Sequence, residues 1–115
     1  MNNKKYINII KILSLVSFDD GYYSNIEYAY PILKEHGQKA AIFVIGKNVE
    51  NISKEIIDPN KLKGLGYEDI KNTSDVFEFH SHTYNLHNYA NNAPSLTVLS
   101  EEEIVQDLTK IKVQL

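Results

Sequence analysis

The chain has no cysteine, no arginine and no tryptophan among its 115 residues. The first absence excludes disulfides, thiolate metal sites and cysteine nucleophiles, and it leaves the redox compartment unreadable from cysteine usage. The second removes the rigid guanidinium fork that usually orients carboxylates, a role lysine fills poorly. Excess positive charge is also missing: a formal net charge of -3 gives no sign of a polyanionic partner and argues against nucleic acid. There is no long apolar run. The stretch from Ile7 to Val16 is interrupted by Asn8, Lys11 and Ser14 and is too short for a transmembrane segment. Lys4 and Lys5 before it imitate a signal peptide, but the run feeds straight into Ser17 without a small-residue cleavage site. The expectation is a cytoplasmic address, or an export signal removed or not included in this sequence. The length suits one domain with a modest core, and neither repeats nor low-complexity segments occur.

What is present alternates between strand and helix patterns. Ile9 to Phe18 is rich in Ile, Leu and Val, which predicts a parallel strand covered on both faces, with a turn over Asp19 to Tyr23. Ser24 with Glu27 reads as a capping box opening a helix through Ile26, Tyr30 and Leu33 that stops near Gly37, with His36 at its C-terminal cap. Pro31 predicts a kink or a later start. Ala40 to Ile45 is a second buried strand, Glu50 to Ile57 a short helix, Tyr67 to Asn72 another turn or two of helix, and Val76 to Ser81 a third strand. His82 to Leu99 reads as loop. Ser100 with Glu103 opens a last helix whose inner face is predicted as Ile104, Leu108, Ile111 and Leu115. The order implies an α/β fold of parallel strands with crossover helices, in which catalytic groups gather at the strand C-terminal ends.

Two stretches fall at such ends, SFDDG (Ser17 to Gly21) and HSHTYNLH (His80 to His87). An Asp-Asp pair in a turn is commonly just a solvated turn former. Closing an apolar strand, however, two adjacent negative charges are costly without a compensating cation or donors. Adjacent side chains also point apart, so one carboxylate can ligate a metal while the other accepts a proton from water. A lone histidine is more often a packed or surface residue than a ligand. Two of them bracketing TYNL at a strand end are different: two imidazoles plus a carboxylate hold a zinc-like ion and leave an open position. His80 fits a packing or supporting role. The candidate cluster is therefore Asp19, Asp20, His82 and His87.

SFDDG followed by Tyr22, then HTYNLH ending at His87, resemble the first two motifs of the polysaccharide deacetylases, the carbohydrate esterases with a NodB-type domain. YAYPILKEHGQKAAIFVIG is similar to the helix and strand that usually follow the first motif, and the likeness runs from Lys11 to Leu108. The histidine spacing looks most like the branch that de-N-acetylates poly-β-1,6-N-acetylglucosamine. The resemblance implies Asp19 as general base, Asp20, His82 and His87 as ligands of a divalent ion, and release of acetate from N-acetylglucosamine units of a polysaccharide. Zinc is the first expectation for that ion, with cobalt, nickel or iron as alternatives. It further implies an extracellular or cell-surface address and a sugar groove in which Tyr22 and Tyr84 take part, with Tyr23 and Tyr89 nearby.

The family's later motifs add an arginine that orients the base and a histidine that acts as general acid. Here no arginine exists and no histidine follows His87. A closed (β/α) barrel takes roughly 250 residues, so the expectation is the first half of a distorted barrel, with turnover impaired. Uncovered strand edges would favour self-association. Two other readings stand beside the hydrolase. One is a remnant that binds metal or glycan without turnover. The other is a receiver-like magnesium domain, disfavoured because His80, Ser81 and His82 stand where that fold needs a phosphate-accepting aspartate.

Overall fold

A computed structural model describes residues 15–115. The stretch from Lys4 to Ser14, with the signal-peptide question and most of the predicted first strand, lies outside the described residues. The first strand, β1 (Ser17–Asp20), therefore includes the Asp pair, and the turn begins only at Gly21. β2 (Ala40–Val44) and β3 (Phe77–Ser81) follow, and the three form a parallel sheet in the order β1-β2-β3. Parallel strands need a helical crossover between them, and both connections contain one. After β1 a π-helical turn (Asn25–Ala29) leads into α1 (Tyr30–Glu35). After β2 come α2 (Gly46–Ser53) and α3 (Tyr67–Thr73).

The late start of α1 follows from Pro31, which sits in its first turn, where its missing N–H is not needed. The Ser24 side chain makes no capping bond, and the preceding turn closes instead with the Tyr30 N–H bonded to the Asn25 carbonyl, so the predicted capping box there is not formed. Helix α1 ends as expected, with His36 at the cap and Gly37 in the left-handed region at φ 64°. The predicted helix over Glu50 to Ile57 is displaced: α2 starts at Gly46, directly off β2, and stops where Glu55 turns left-handed at φ 59°. Lys54 to Ile57 thus leave the helix, and Ile56 and Ile57 are exposed.

One face of the sheet carries the core. Ala40, Ile42 and Val44 of β2 pack with Phe77 of β3, Val49 of α2, Leu65 and Val76, flanked by Phe18, Ile26, Tyr30, Leu33, Ile70 and Phe79. The Phe77 ring meets Phe18, Tyr30 and Phe79, each at 6.1 Å between centroids, within the range that stabilises aromatic pairs. Coverage on both faces is not what the described residues show. Alternation puts Ser17, Asp19, Glu78 and His80 on the opposite face, where they are exposed beside Phe43 and the buried Ala41. Among the described residues β1 and β3 are the edges of this sheet.

The predicted loop from His82 to Leu99 contains a small antiparallel ribbon, β4 (Tyr89–Ala90) with β5 (Ala93–Pro94), and a single helical turn, α4 (Ser95–Val98). Asn91 and Asn92, both at positive φ, make the tight reversal between the strands. Helix α5 (Glu101–Gln114) opens with the predicted capping box: the Ser100 Oγ accepts from the Glu103 N–H, and the Glu103 carboxylate accepts from the Ser100 N–H at 2.9 Å. Its inner face differs from the expected one. Ile111 is buried, Ile104, Asp107 and Gln114 are half-buried, and Leu108 and Leu115 are exposed. No helix among the described residues is long and apolar enough to cross a membrane.

Ile42 is fully buried at the centre of the sheet. Truncation there removes core contacts that neighbouring side chains only partly refill, so Ile42→Ala is expected to lower the unfolding free energy by about 2–5 kcal/mol, measured by urea denaturation.

Candidate metal centre

Register builds the site. Asp20 pairs with Val44 and Val44 with Ser81, so the last residues of β1, β2 and β3 stand level at one rim. Two strand spacings, about 10 Å, separate the outer strands, and side chains must lean over β2 to meet. The His82 N–H donates to the Val44 carbonyl at 2.9 Å, which carries the parallel ladder one residue past β3 and fixes His82 at the rim. From the other side Asp20 and Gly21 both take φ of 72°, a left-handed bend that Asp tolerates better than most residues. A Cβ on Gly21 would lie 3.0 Å from Val44 Cγ1, so only glycine lets the bend press onto β2.

The bend is braced by Lys63 to Leu65, a stretch with no predicted element. Leu65 donates its N–H to the Gly21 carbonyl at 3.1 Å, Tyr23 donates to the Lys63 carbonyl at 2.8 Å, and Tyr22 bridges Gly64. Leu65 is buried in the core, so these backbone bonds tie the Asp20 turn to the hydrophobic interior.

Asp20, His82 and His87 converge. The Asp20 Oδ1 stands 3.2 Å from His82 Nε2 and 3.4 Å from His87 Nε2, and the imidazole centroids are 4.4 Å apart. One ligand atom from each lies within 4.8 Å of the others. A tetrahedral zinc site with bonds of about 2.0–2.1 Å has ligand-to-ligand edges of about 3.3–3.4 Å, which two of these separations match. The Asp20 Oδ1 is moreover buried and has no hydrogen-bond partner. A desolvated carboxylate oxygen without a donor is costly, and a cation at this point removes that cost. The residues fit a divalent ion, and they are nitrogen and oxygen donors of the kind zinc and its neighbours in the transition series accept.

The other predicted residues fall elsewhere. Asp19 alternates to the opposite face of β1, exposed, in the row Asp19–Phe43–His80. His80 stacks on Phe43 at 5.5 Å and faces Glu78 at 3.5 Å, outside the three-residue cluster, in keeping with a packing role. Tyr22 is partly exposed with its hydroxyl 3.5 Å from Asp20 Oδ2, beside the cluster. Tyr84 lines a cleft with Asn85, Leu86 and Asp107, most of its ring being buried. It is only 7% exposed, its hydroxyl donates to Glu50, and its ring is covered by the Lys110 ammonium at 4.0 Å. It is buried because Gly46 leaves room for it: a Cβ at Gly46 would lie 2.8 Å from Tyr84 Cδ2 and collide with Gln114 Oε1. Tyr23 packs on the core under Lys63, and Tyr89 is exposed on β4.

The four residues between the histidines are anchored almost atom by atom. Thr83, at φ 64°, accepts the Leu86 N–H on its Oγ1 at 3.0 Å, and its carbonyl accepts from Gly46 at 3.1 Å. The Tyr84 carbonyl accepts from Lys47 at 2.8 Å. The Tyr84 and Asn85 N–H groups donate to Asp107 Oδ1 and Oδ2 at 2.8 and 2.7 Å. Asp107 and Glu50 are the residues that sequence reasoning missed. The available signal for Asp107 was a charged residue on the helical stripe through Ile104 and Ile111.

Glu50 joins Lys54 at 2.6 Å and the Tyr84 hydroxyl, and the Lys54 ammonium, ahead of that hydroxyl, pulls its carboxyl from the ordinary 4.5 to about 2. Because the folded carboxyl titrates below the unfolded one, the unfolded chain takes up the proton first on acidification. The stabilisation is thus complete above pH 4.5 and disappears as pH falls to about 2. Thermal melts should show wild type more stable than Glu50→Gln at neutral pH, with the gap closing across that window.

Comparison with known proteins gives the family and the fold. The family model described as polysaccharide deacetylase matches residues 10–115. The poly-β-1,6-N-acetyl-D-glucosamine N-deacetylase of Staphylococcus aureus (strain MSSA476) is 36% identical over 99 residues, which is 83% of this chain and 32% of that protein. The chain thus spans about a third of that relative. Among solved structures, IcaB from Ammonifex degensii superposes with a TM-score of 0.68 at 24% identity, covering 90% of this chain and 45% of that one. The BpsB deacetylase domain from Bordetella bronchiseptica gives 0.63 at 20% identity, covering 93% and 53%. Both likenesses support the fold expected from the sequence, parallel strands with crossover helices as in a (β/α) barrel of the deacetylase type.

Proposed function

The chain belongs to the polysaccharide deacetylase family, and from that premise we propose that it carries the metal-binding part of an enzyme that removes acetyl groups from N-acetylglucosamine units of a polysaccharide. The observation that carries the reading is the convergence of Asp20, His82 and His87 around a buried carboxylate oxygen without a donor. A divalent ion, zinc first and cobalt, nickel or iron as alternatives, would be held by Asp20, His82 and His87 and would supply Lewis acidity toward an amide carbonyl and water. Poly-β-1,6-linked N-acetylglucosamine is the substrate class favoured, because the S. aureus relative is named for it. Such a substrate puts the reaction at the cell surface or outside it.

The chain's own residues divide the work. His82 and His87 present neutral imidazole nitrogens to the cation, and Asp20 supplies the negative charge that makes the site selective for one. Asp19, exposed on the other side of the strand, is the proposed base on its place in SFDDG, and it acts through a water bridging round the end of β1. It takes the proton as water oxygen bonds to the acetamide carbon; the carbon–nitrogen bond then breaks, the leaving nitrogen takes up the proton that Asp19 held, and acetate and the free amine depart. Tyr22 lies where its ring can support a sugar beside Asp20. Tyr84, which lines the cleft against α5 with most of its ring buried, is the second proposed sugar contact.

A second reading, metal or glycan binding without turnover, is favoured by one observation: Asp19 is exposed on the face of β1 opposite the Asp20 cluster. Self-association through the edges of β1 and β3 belongs with either reading.

Zinc titration by calorimetry is expected to show one site per chain, abolished by His82→Ala or His87→Ala; binding that survives both substitutions defeats the assignment. In an acetate-release assay on N-acetylglucosamine oligomers, Asp19→Asn is expected to keep zinc affinity and lose roughly 10²–10⁴-fold in rate. Zinc binding by the wild type without any acetate release selects the second reading.

A further inference from the structure

The loop that carries both histidines is held from two sides by groups of different kinds. From α2 it is held by uncharged backbone bonds, Gly46 to the Thr83 carbonyl and Lys47 to the Tyr84 carbonyl. From α5 it is held by one carboxylate, Asp107, whose two oxygens each take one of two consecutive backbone N–H groups, at 2.8 and 2.7 Å. Thr83 in the left-handed region precedes these two amides, so they converge on one anion, as in the backbone nests that bind anions elsewhere. Hydrogen bonds to an ionised acceptor are about twice as strong as neutral ones. Asp107 sits on the half-buried side of α5 next to Ile111, which is itself buried. The helix therefore anchors its carboxylate by packing, and the carboxylate anchors the loop.

We propose that Asp107 is a positioning residue for the metal centre: by clamping the Tyr84 and Asn85 amides it fixes the four-residue span between His82 and His87 and so sets the separation of the two imidazoles. It touches neither metal nor substrate. The inference rests on the reading of Asp20, His82 and His87 as ligands. His87 is the side chain it serves most, being half-exposed and reaching the cluster only through this loop. With the clamp loosened, the chain keeps its core and its α2 contacts, but His87 samples orientations that miss Asp20.

Zinc affinity of the full chain, measured by competition with a chromogenic chelator, tests this together with the thermal midpoint of the metal-free protein. Asp107→Asn keeps one acceptor oxygen but turns an amino group toward a backbone donor. It is expected to fold and to bind zinc roughly 10- to 100-fold more weakly, the usual consequence of losing a group that orients a ligand. Asp107→Glu, which keeps both oxygens, is expected to bind more tightly than Asp107→Asn. Wild-type affinity in Asp107→Asn, while His82→Ala abolishes binding, overturns the positioning role. So does a lowered metal-free midpoint with unchanged affinity, which marks a merely structural residue. Failure of wild type to bind zinc, or wild-type affinity in His82→Ala, sinks the ligand reading first and this inference with it. If Asp107→Asn does not fold, amide hydrogen exchange in the metal-free wild type decides: slow exchange at Tyr84 and Asn85 is expected, and exchange at unstructured rates overturns the clamp.

Discussion

The parallel pairing of β2 with both neighbours is the constraint on which the rest depends. It makes Asp20, Val44 and Ser81 level and buries Ile42 and Val44 beneath them, so both chemical stretches emerge at one rim. A slip of one residue in either pairing would turn Asp20 or the start of the histidine loop to the other face of the sheet. Such a slip is resisted because it would also expose Ile42 or Phe77, which the core holds fully buried. Hydrophobic burial, which has no directional preference of its own, thereby sets the position of polar groups to within a hydrogen bond.

Geometry at the rim is completed by backbone bends that ordinary residues resist. Asp20, Gly21 and Thr83 all lie at positive φ, and each is held by bonds to a different element: Leu65 for the first turn, α2 and α5 for the histidine loop. Strain of this kind persists where surrounding structure over-determines it, and it clusters at functional sites. The donorless Asp20 oxygen belongs to the same pattern. Unfavourable by itself, it becomes favourable once a cation occupies the space between the two imidazoles.

Much of this was legible from residue order. The three strands, the capping box at Ser100, the cap at His36 and the late start forced by Pro31 all follow from local rules that need no knowledge of distant contacts. The three ligand candidates were legible because two histidines and a carboxylate at strand ends are unusual in composition and placement. The displaced helix α2 and the inner face of α5 were not. Gly46 lies just past the predicted second strand, yet it opens a helix, because its lack of a side chain admits Tyr84 and Gln114. Leu108 and Leu115 read as core, yet Asp107 and Gln114 take the inner side, because the loop amides and the Gly46 carbonyl offer them partners. Burial in these places is decided by hydrogen-bond satisfaction rather than by hydropathy.

The amino-acid order by itself determined the family, the alternation of strand and helix, and the identity of Asp20, His82 and His87 as candidate ligands, since all of these are carried by spacing and side-chain chemistry within short segments. Tertiary structure alone decided that Asp19 lies on the face of β1 opposite Asp20, that most of the Tyr84 ring is buried with its hydroxyl on Glu50, and that a carboxylate from the last helix holds the histidine loop. These depend on which groups from distant segments meet, and in a folded chain that is settled by strand register and by the demand that every buried donor find an acceptor.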